Sequence, residues 1–136
     1  AFAGFDPEVV AGYGPADVER LMADAGIVRH RGKIEATIAN AGATLLARER
    51  HGSLAAVVWS FEPPRAGRPV PQRMGDLVSV TPESTALSKA LRKLGFRFVG
   101  PTTAYAAMES LGVVNDHLAG CHVRAACESD RRALAR

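Results

Sequence analysis

The stretch Ser84-Thr-Ala-Leu-Ser-Lys-Ala-Leu-Arg-Lys-Leu-Gly95-Phe-Arg-Phe-Val-Gly100-Pro-Thr-Thr-Ala-Tyr-Ala-Ala-Met-Glu-Ser-Leu111 decides how the chain is organised. Leu87, Leu91 and Leu94 recur at helical spacing and stop at Gly95. Pro101 suits the first position of a second helix, which runs to about Leu111. Two helices therefore flank a tight connector framed by Gly95 and Gly100. Gly95 can take the positive φ that a helix C-terminus needs. Gly100 lets the backbone approach a ligand closely. With Pro101 at the helix start, the next amides point outward at the positive end of the dipole, and such amides bind phosphate. Thr102 and Thr103 add hydroxyl donors. Between Ser84 and Met108 the chain carries Lys89, Arg92, Lys93 and Arg97 and no acidic residue. Phosphate neutralisation by such groups supplies most non-specific DNA affinity. The candidate backbone-gripping set is Lys93, Phe96, Arg97, Phe98, Val99, Gly100, Thr102 and Thr103. An αα-hairpin with a solvated basic face satisfies the same pattern.

Outward from the hairpin the reading stays helical. Asp6 can cap a short helix opened by Pro7, and a second runs from Pro15 with Val18, Leu21 and Met22 on one face, ending by Gly26. A long helix is expected from about Lys33 to Arg48, with Ile34, Ile38, Ala41 and Leu45 as one buried stripe, closed by Gly52. Ser53 caps a short apolar helix containing Trp59. Four prolines and two glycines make residues 62–80 a surface loop. Val113–Cys121 is expected to hold a further helical turn, and the charged tail from Val123 is either helical or frayed. No segment alternates as a strand does.

Composition sets the outer bounds. The 136 residues predict a single helical domain, and 47 % apolar with 23 % charged residues is ordinary for a globular chain. A net charge of +3 is compatible with nucleic acid without requiring it. Two cysteines, Cys121 and Cys127, make a disulfide framework improbable. No apolar run approaches the length of a membrane span, so no membrane partner is expected, and a cytoplasmic monomer is the simplest expectation. Ala1-Phe-Ala-Gly-Phe5 looks like the tail of an earlier element, which points to an N-terminal portion ahead of it.

Other residues carry chemistry with less force. Arg29-His30-Arg31-Gly32-Lys33 is a second basic cluster, which could reach phosphate or simply decorate a helix start. His117 and Cys121 are four apart, a spacing that on a helix places imidazole and thiolate on one face within reach of one metal ion. A buried histidine beside a free core cysteine fits equally. Cys127 and His122 are possible substitutes. Trp59 and Tyr105 could stack on a base, although their helical positions favour core packing.

Several blocks together resemble the DNA-3-methyladenine glycosylase I family of the helix-hairpin-helix glycosylase superfamily. They are Ala25-Gly-Ile-Val-Arg-His-Arg-Gly-Lys-Ile34, Val58-Trp-Ser-Phe61, Leu87-Ser-Lys-Ala-Leu91, Gly95-Phe-Arg-Phe-Val-Gly100 and Leu111-Gly-Val-Val-Asn-Asp-His117 with Cys121 behind it. The blocks follow the family's order and span about residues 5–121. The resemblance implies an all-α fold, double-stranded DNA carrying alkylated adenine as the partner, and a structural zinc for which His117 and Cys121 match the C-terminal ligand pair. It implies that the other two ligands, a Cys and a His, and most of the base pocket lie ahead of Ala1. Zinc should then bind poorly, and activity should be lacking, in the chain as it stands.

The implied reaction is monofunctional excision of 3-methyladenine. A base inside the duplex stack must be flipped out before its glycosidic bond can be hydrolysed. Methylation at N3 makes the base cationic and already a good leaving group, so positioning matters more than acid catalysis. Related glycosylases place an Asp shortly after the second hairpin helix. Here that position matches Asn115, followed by Asp116, and both would equally serve as caps of a next helical turn. Members that also cut the strand use a hairpin Lys as a Schiff base, and Thr102 stands there instead. The alternative to an enzyme is a non-catalytic DNA-binding module built on the same hairpin. A helix-turn-helix regulator is disfavoured, since a glycine-framed connector suits phosphate and not base edges.

Overall fold

The computed structural model describes residues 1–134. Seven α-helices follow one another: α1 (Pro7–Val10), α2 (Pro15–Ala23), α3 (Arg31–His51), α4 (Leu54–Trp59), α5 (Pro82–Lys93), α6 (Pro101–Ser110) and α7 (Arg124–Ala133). Single 3-10 turns lie at Ala3–Phe5 and Met74–Asp76. There is no strand among the described residues, so the all-α reading holds. None of the described helices is long and apolar enough to cross a membrane.

The chain divides into two compact units. One comprises Ala1–Val57 with Lys89–Val99, and the other comprises Val58–Ser88 with the chain from Gly100 onward.

In the first unit α3 packs against α1 and α2. Val18, Leu21 and Ile34 form its core, with Phe2, Tyr13, Met22, Ile27 and Ile38 packed around them. Leu21 is wholly buried, and burial of such a side chain contributes about 1.5–3 kcal/mol. Caps set the helix ends. Glu8 N–H donates to Asp6 Oδ1 at 2.9 Å, starting α1. The long helix α3 begins earlier than its apolar stripe predicts, because His30 Nδ1 accepts from Lys33 N–H at 3.2 Å and acts as the cap. Its far end is Gly52 at φ +81°, in the left-handed region expected of a terminating glycine. The buried face of the helix departs from the expected stripe, since Ile38 and Leu45 are only partly buried. Ala36, Ala43 and Ala47 are buried as well as Ile34 and Ala41. Small side chains there admit close neighbours, and a Cβ added at Gly95 would stand 3.9 Å from that of Ala43.

In the second unit the proline-rich stretch 62–80 is irregular apart from its 3-10 turn, as its composition predicts. Thr81 and Ser84 exchange hydrogen bonds of 2.9 and 3.2 Å at the start of α5. Tyr105 and Met108 of α6 are buried. The expected helical turn within Val113–Cys121 is not formed, and the segment is bend, turn and irregular chain. Nor do Asn115 and Asp116 cap a helix there. Side chains take the carbonyls that a helix would have used: Arg131 donates to Val113 O at 2.8 Å and Arg124 to Asn115 O at 3.1 Å. The charged tail is helical as α7.

Candidate functional site

The connector after α5 is built by its glycine. Gly95 sits at φ +99°. Gly95 N–H donates to Arg92 O at 3.0 Å and Phe96 N–H to Leu91 O at 3.0 Å, the paired bonds that close a helix on a left-handed residue. Phe96 then turns into the core at 9 % exposure, while Arg97 and Phe98 face solvent. A side chain distant in sequence holds this bend. Arg97 N–H donates to Asn40 Oδ1 at 2.7 Å, and Asn40 Nδ2 donates to Arg97 O at 3.1 Å. The amide of Asn40 on α3 thus satisfies both polar groups of one connector residue. Sequence reasoning missed Asn40, and no local pattern marks it, because its partner lies 57 residues away.

Phe98 adopts φ +58°, a conformation uncommon for a residue with a Cβ, and is 59 % exposed. Its ring meets His30 edge-on, with centroids 6.4 Å apart and planes at 85°. Gly32 permits the approach, since a Cβ there would stand 3.2 Å from His30 Cε1. The two basic clusters of the sequence therefore adjoin. Arg29, Lys33, Lys93 and Arg97 are all exposed, and no ion pair forms on them among the described residues. Arg31 alone in this group is paired, to Glu19 at 2.7 Å.

The start of α6 belongs to the second unit. Gly100 is its cap at φ −64°, a conformation open to any residue, and a Cβ there would meet nothing within 4 Å. Pro101 takes the first helical position, and Thr102 and Thr103 are exposed. The first-turn amides of a helix have no acceptor within it and are available to an anion. Val99 and Gly100 are half-buried.

His117 and Cys121 do come together, but through the irregular segment and not on a helix. His117 Nδ1 and Cys121 Sγ are 3.6 Å apart. A tetrahedral ion bound by thiolate at about 2.3 Å and imidazole at about 2.1 Å would hold them at about this distance. The pair therefore fits two corners of such a site. No group of three or more potential ligands forms among the described residues, and Cys127 and His122 do not complete one.

Asn115 is buried, and its Nδ2 donates to Arg124 O at 3.1 Å and Glu128 Oε2 at 3.3 Å. Its Oδ1 is buried without a partner. Tyr105 is 1 % exposed, which leaves core packing as its role. Its hydroxyl donates to Asp116, which also accepts from Arg68 at 2.6 Å. Burial, and then the Asp116 carboxylate, push the phenol up to about 12, so it remains a donor at ordinary pH. Trp59 is partly buried.

The methyladenine glycosylase family matches residues 1–125. DNA-3-methyladenine glycosylase 1 of Escherichia coli is 46 % identical over 120 residues, which are 88 % of this chain and 64 % of that protein. DNA-3-methyladenine glycosylase of Haemophilus influenzae is 42 % identical over 124 residues, 89 % of this chain and 65 % of that one. Among solved structures, 3-methyladenine DNA glycosylase I from Staphylococcus aureus superposes with a TM-score of 0.83 at 34 % identity, covering 90 % of this chain and 65 % of its own. A crystal structure of 3-methyladenine DNA glycosylase I gives 0.81 at 45 %, covering 89 % and 66 %. The chain thus spans just under two thirds of the length of these relatives. With a match that runs through both compact units, the chain belongs to the methyladenine glycosylase family.

Proposed function

We propose that this chain forms the DNA-gripping part of a monofunctional glycosylase that excises 3-methyladenine from alkylated double-stranded DNA. The family match over residues 1–125 carries the reading. The exposed connector supports it, with its cations lacking internal carboxylate partners. In this reading the α5–connector–α6 segment is a helix-hairpin-helix. Arg97, Lys93 and the outward amides after Gly100 neutralise backbone phosphates and hold the duplex while the damaged nucleotide is flipped. Cleavage between C1′ and the base nitrogen proceeds through an oxocarbenium-like state that water completes. The cationic base leaves readily, so holding the nucleotide in place is the protein's main task. Thr102 has no amine, so no Schiff base forms and the strand is left intact. No catalytic step is assigned to Asn115, whose amide is engaged within the protein.

His117 and Cys121 would supply two ligands to a structural zinc, whose chemistry is to cross-link the elements that hold it. The 3.6 Å separation supports this assignment.

The test is release of free 3-methyladenine from methylated duplex DNA by the protein that carries this chain. Release without strand scission is expected. DNA binding with no release would leave only a non-catalytic binding module.

A further inference from the structure

We infer that α7 is a clasp that holds segment 113–121, and with it His117 and Cys121, in ligating geometry. The inference rests on the zinc assignment for that pair. Three side chains of α7 reach back onto the irregular segment. Arg131, 6 % exposed, donates to Val113 O at 2.8 Å. Glu128 accepts from Asn115 Nδ2 at 3.3 Å. Arg124 donates from one nitrogen to Asn115 O at 3.1 Å and, in closer contact, to His117 O. The backbone adds two bonds, Arg124 N–H to Cys121 O at 3.1 Å and Asn115 Nδ2 to Arg124 O at 3.1 Å. Alternate carbonyls at 113, 115 and 117 are thereby gripped from one helix.

This grip is needed because the segment has no helix of its own to place the ligands. An irregular loop leaves a histidine and a cysteine four residues apart free to separate. Groups that orient ligands from behind commonly govern metal affinity. Arg124 is the positioning residue, since among the described residues its side chain binds the carbonyl of His117 and its N–H that of Cys121. The gripped segment and Arg124 lie within the family match, while Glu128 and Arg131 lie beyond it.

The clasp has its own cation balance. Arg131 also donates to Glu62 at 3.1 Å and Glu128 at 2.9 Å, so its charge is satisfied internally. Arg124 forms no ion pair among the described residues and is committed to carbonyls.

The experiment uses the protein that carries this chain, with Arg124→Ala and Arg124→Lys. Amide hydrogen exchange is read in the metal-free protein at residues 115–121, and Co(II) titration is followed by the thiolate-to-metal absorption band. For Arg124→Ala, exchange in the segment should rise about tenfold and Co(II) affinity should fall about tenfold, with helix content unchanged. Arg124→Lys, which keeps a single ammonium in place of the fork, should fall between wild type and alanine in both. Should the alanine variant fail to fold, the lysine variant carries the same comparison. Unchanged exchange and unchanged Co(II) affinity in a folded variant would overturn the clasp. Faster exchange with no Co(II) band even in wild type would sink the zinc assignment and leave the grip on the segment standing.

Discussion

Two irregular segments follow helices that end on left-handed glycines, Gly95 at φ +99° and Gly112 at φ +74°, yet they treat arginine in opposite ways. After Gly95 one neutral side chain, Asn40, secures the bend, and Arg97 points to solvent. After Gly112 guanidinium groups turn inward and hold the chain by its carbonyls. The difference follows the carboxylates. Glu62 and Glu128 stand beside Arg131 and offset the cost of burying its charge. No carboxylate pairs with Arg92, Lys93 or Arg97 among the described residues, so their charge is free for an external acceptor. An arginine paired inside the protein builds structure, and one left unpaired at a stiff bend is available to a ligand.

Breaking the inward case should give the largest effect. Arg131→Ala strips Glu62 and Glu128 of a shared partner, and a loss of about 3–5 kcal/mol is expected in urea unfolding. A loss under about 1 kcal/mol, the worth of a surface pair, would erase the contrast between the segments. The outward case is probed by Gly100→Asp. Its backbone angles and open surroundings accept a side chain, so stability should hold. DNA affinity should fall about tenfold as a carboxylate faces phosphate. Unchanged affinity across a salt titration would remove α6 from the DNA surface.

Gly95→Ala sharpens the comparison at the hinge itself. At φ +99° a Cβ is strained, and about 1–2 kcal/mol of stability should be lost in the same unfolding measurement. Lys93→Ala should weaken DNA binding equally for all sequences and reduce the log–log salt slope by about 1. A change in sequence preference instead would show that Lys93 reads bases.

The smallest effect is on pH. Burial alone would raise the Glu128 carboxyl, but the Asn115 hydrogen bond and the Arg131 charge outweigh it and leave it below the ordinary carboxylate value of 4.5. A carboxyl lowered on folding contributes stability that is fully present above its unfolded value and is lost as pH falls through the folded one. The docking of α7 should therefore loosen below about pH 4.5, read by amide exchange in α7. Glu128→Gln should flatten that dependence.

Much of this was legible before any coordinates. Capping by Asp6, termination at Gly52 and Gly95 and the proline start of α6 each depend on residues within one turn of one another. The two candidate regions differ in this respect. The connector's cations Lys93 and Arg97 and the Thr102–Thr103 pair fall in a single window, so their exposure and charge could be anticipated there, whereas the burial of Phe96 could not. The spacing of His117 and Cys121 suggested that the two side chains meet on one helix face, and they do meet, but across irregular chain and not on a helix. Asn40, the adjoining of His30 and Phe98, and the grip of Arg124 on two carbonyls had no local signature.

By itself the sequence determined most of the helical elements, several of their caps and the glycine-framed connector, because turn chemistry and apolar periodicity act over a few residues. Only the tertiary structure decided which cations face out and which face in. That choice depends on whether a carboxylate or carbonyl from a distant part of the chain arrives beside each guanidinium, and desolvating a charge is affordable only where one does.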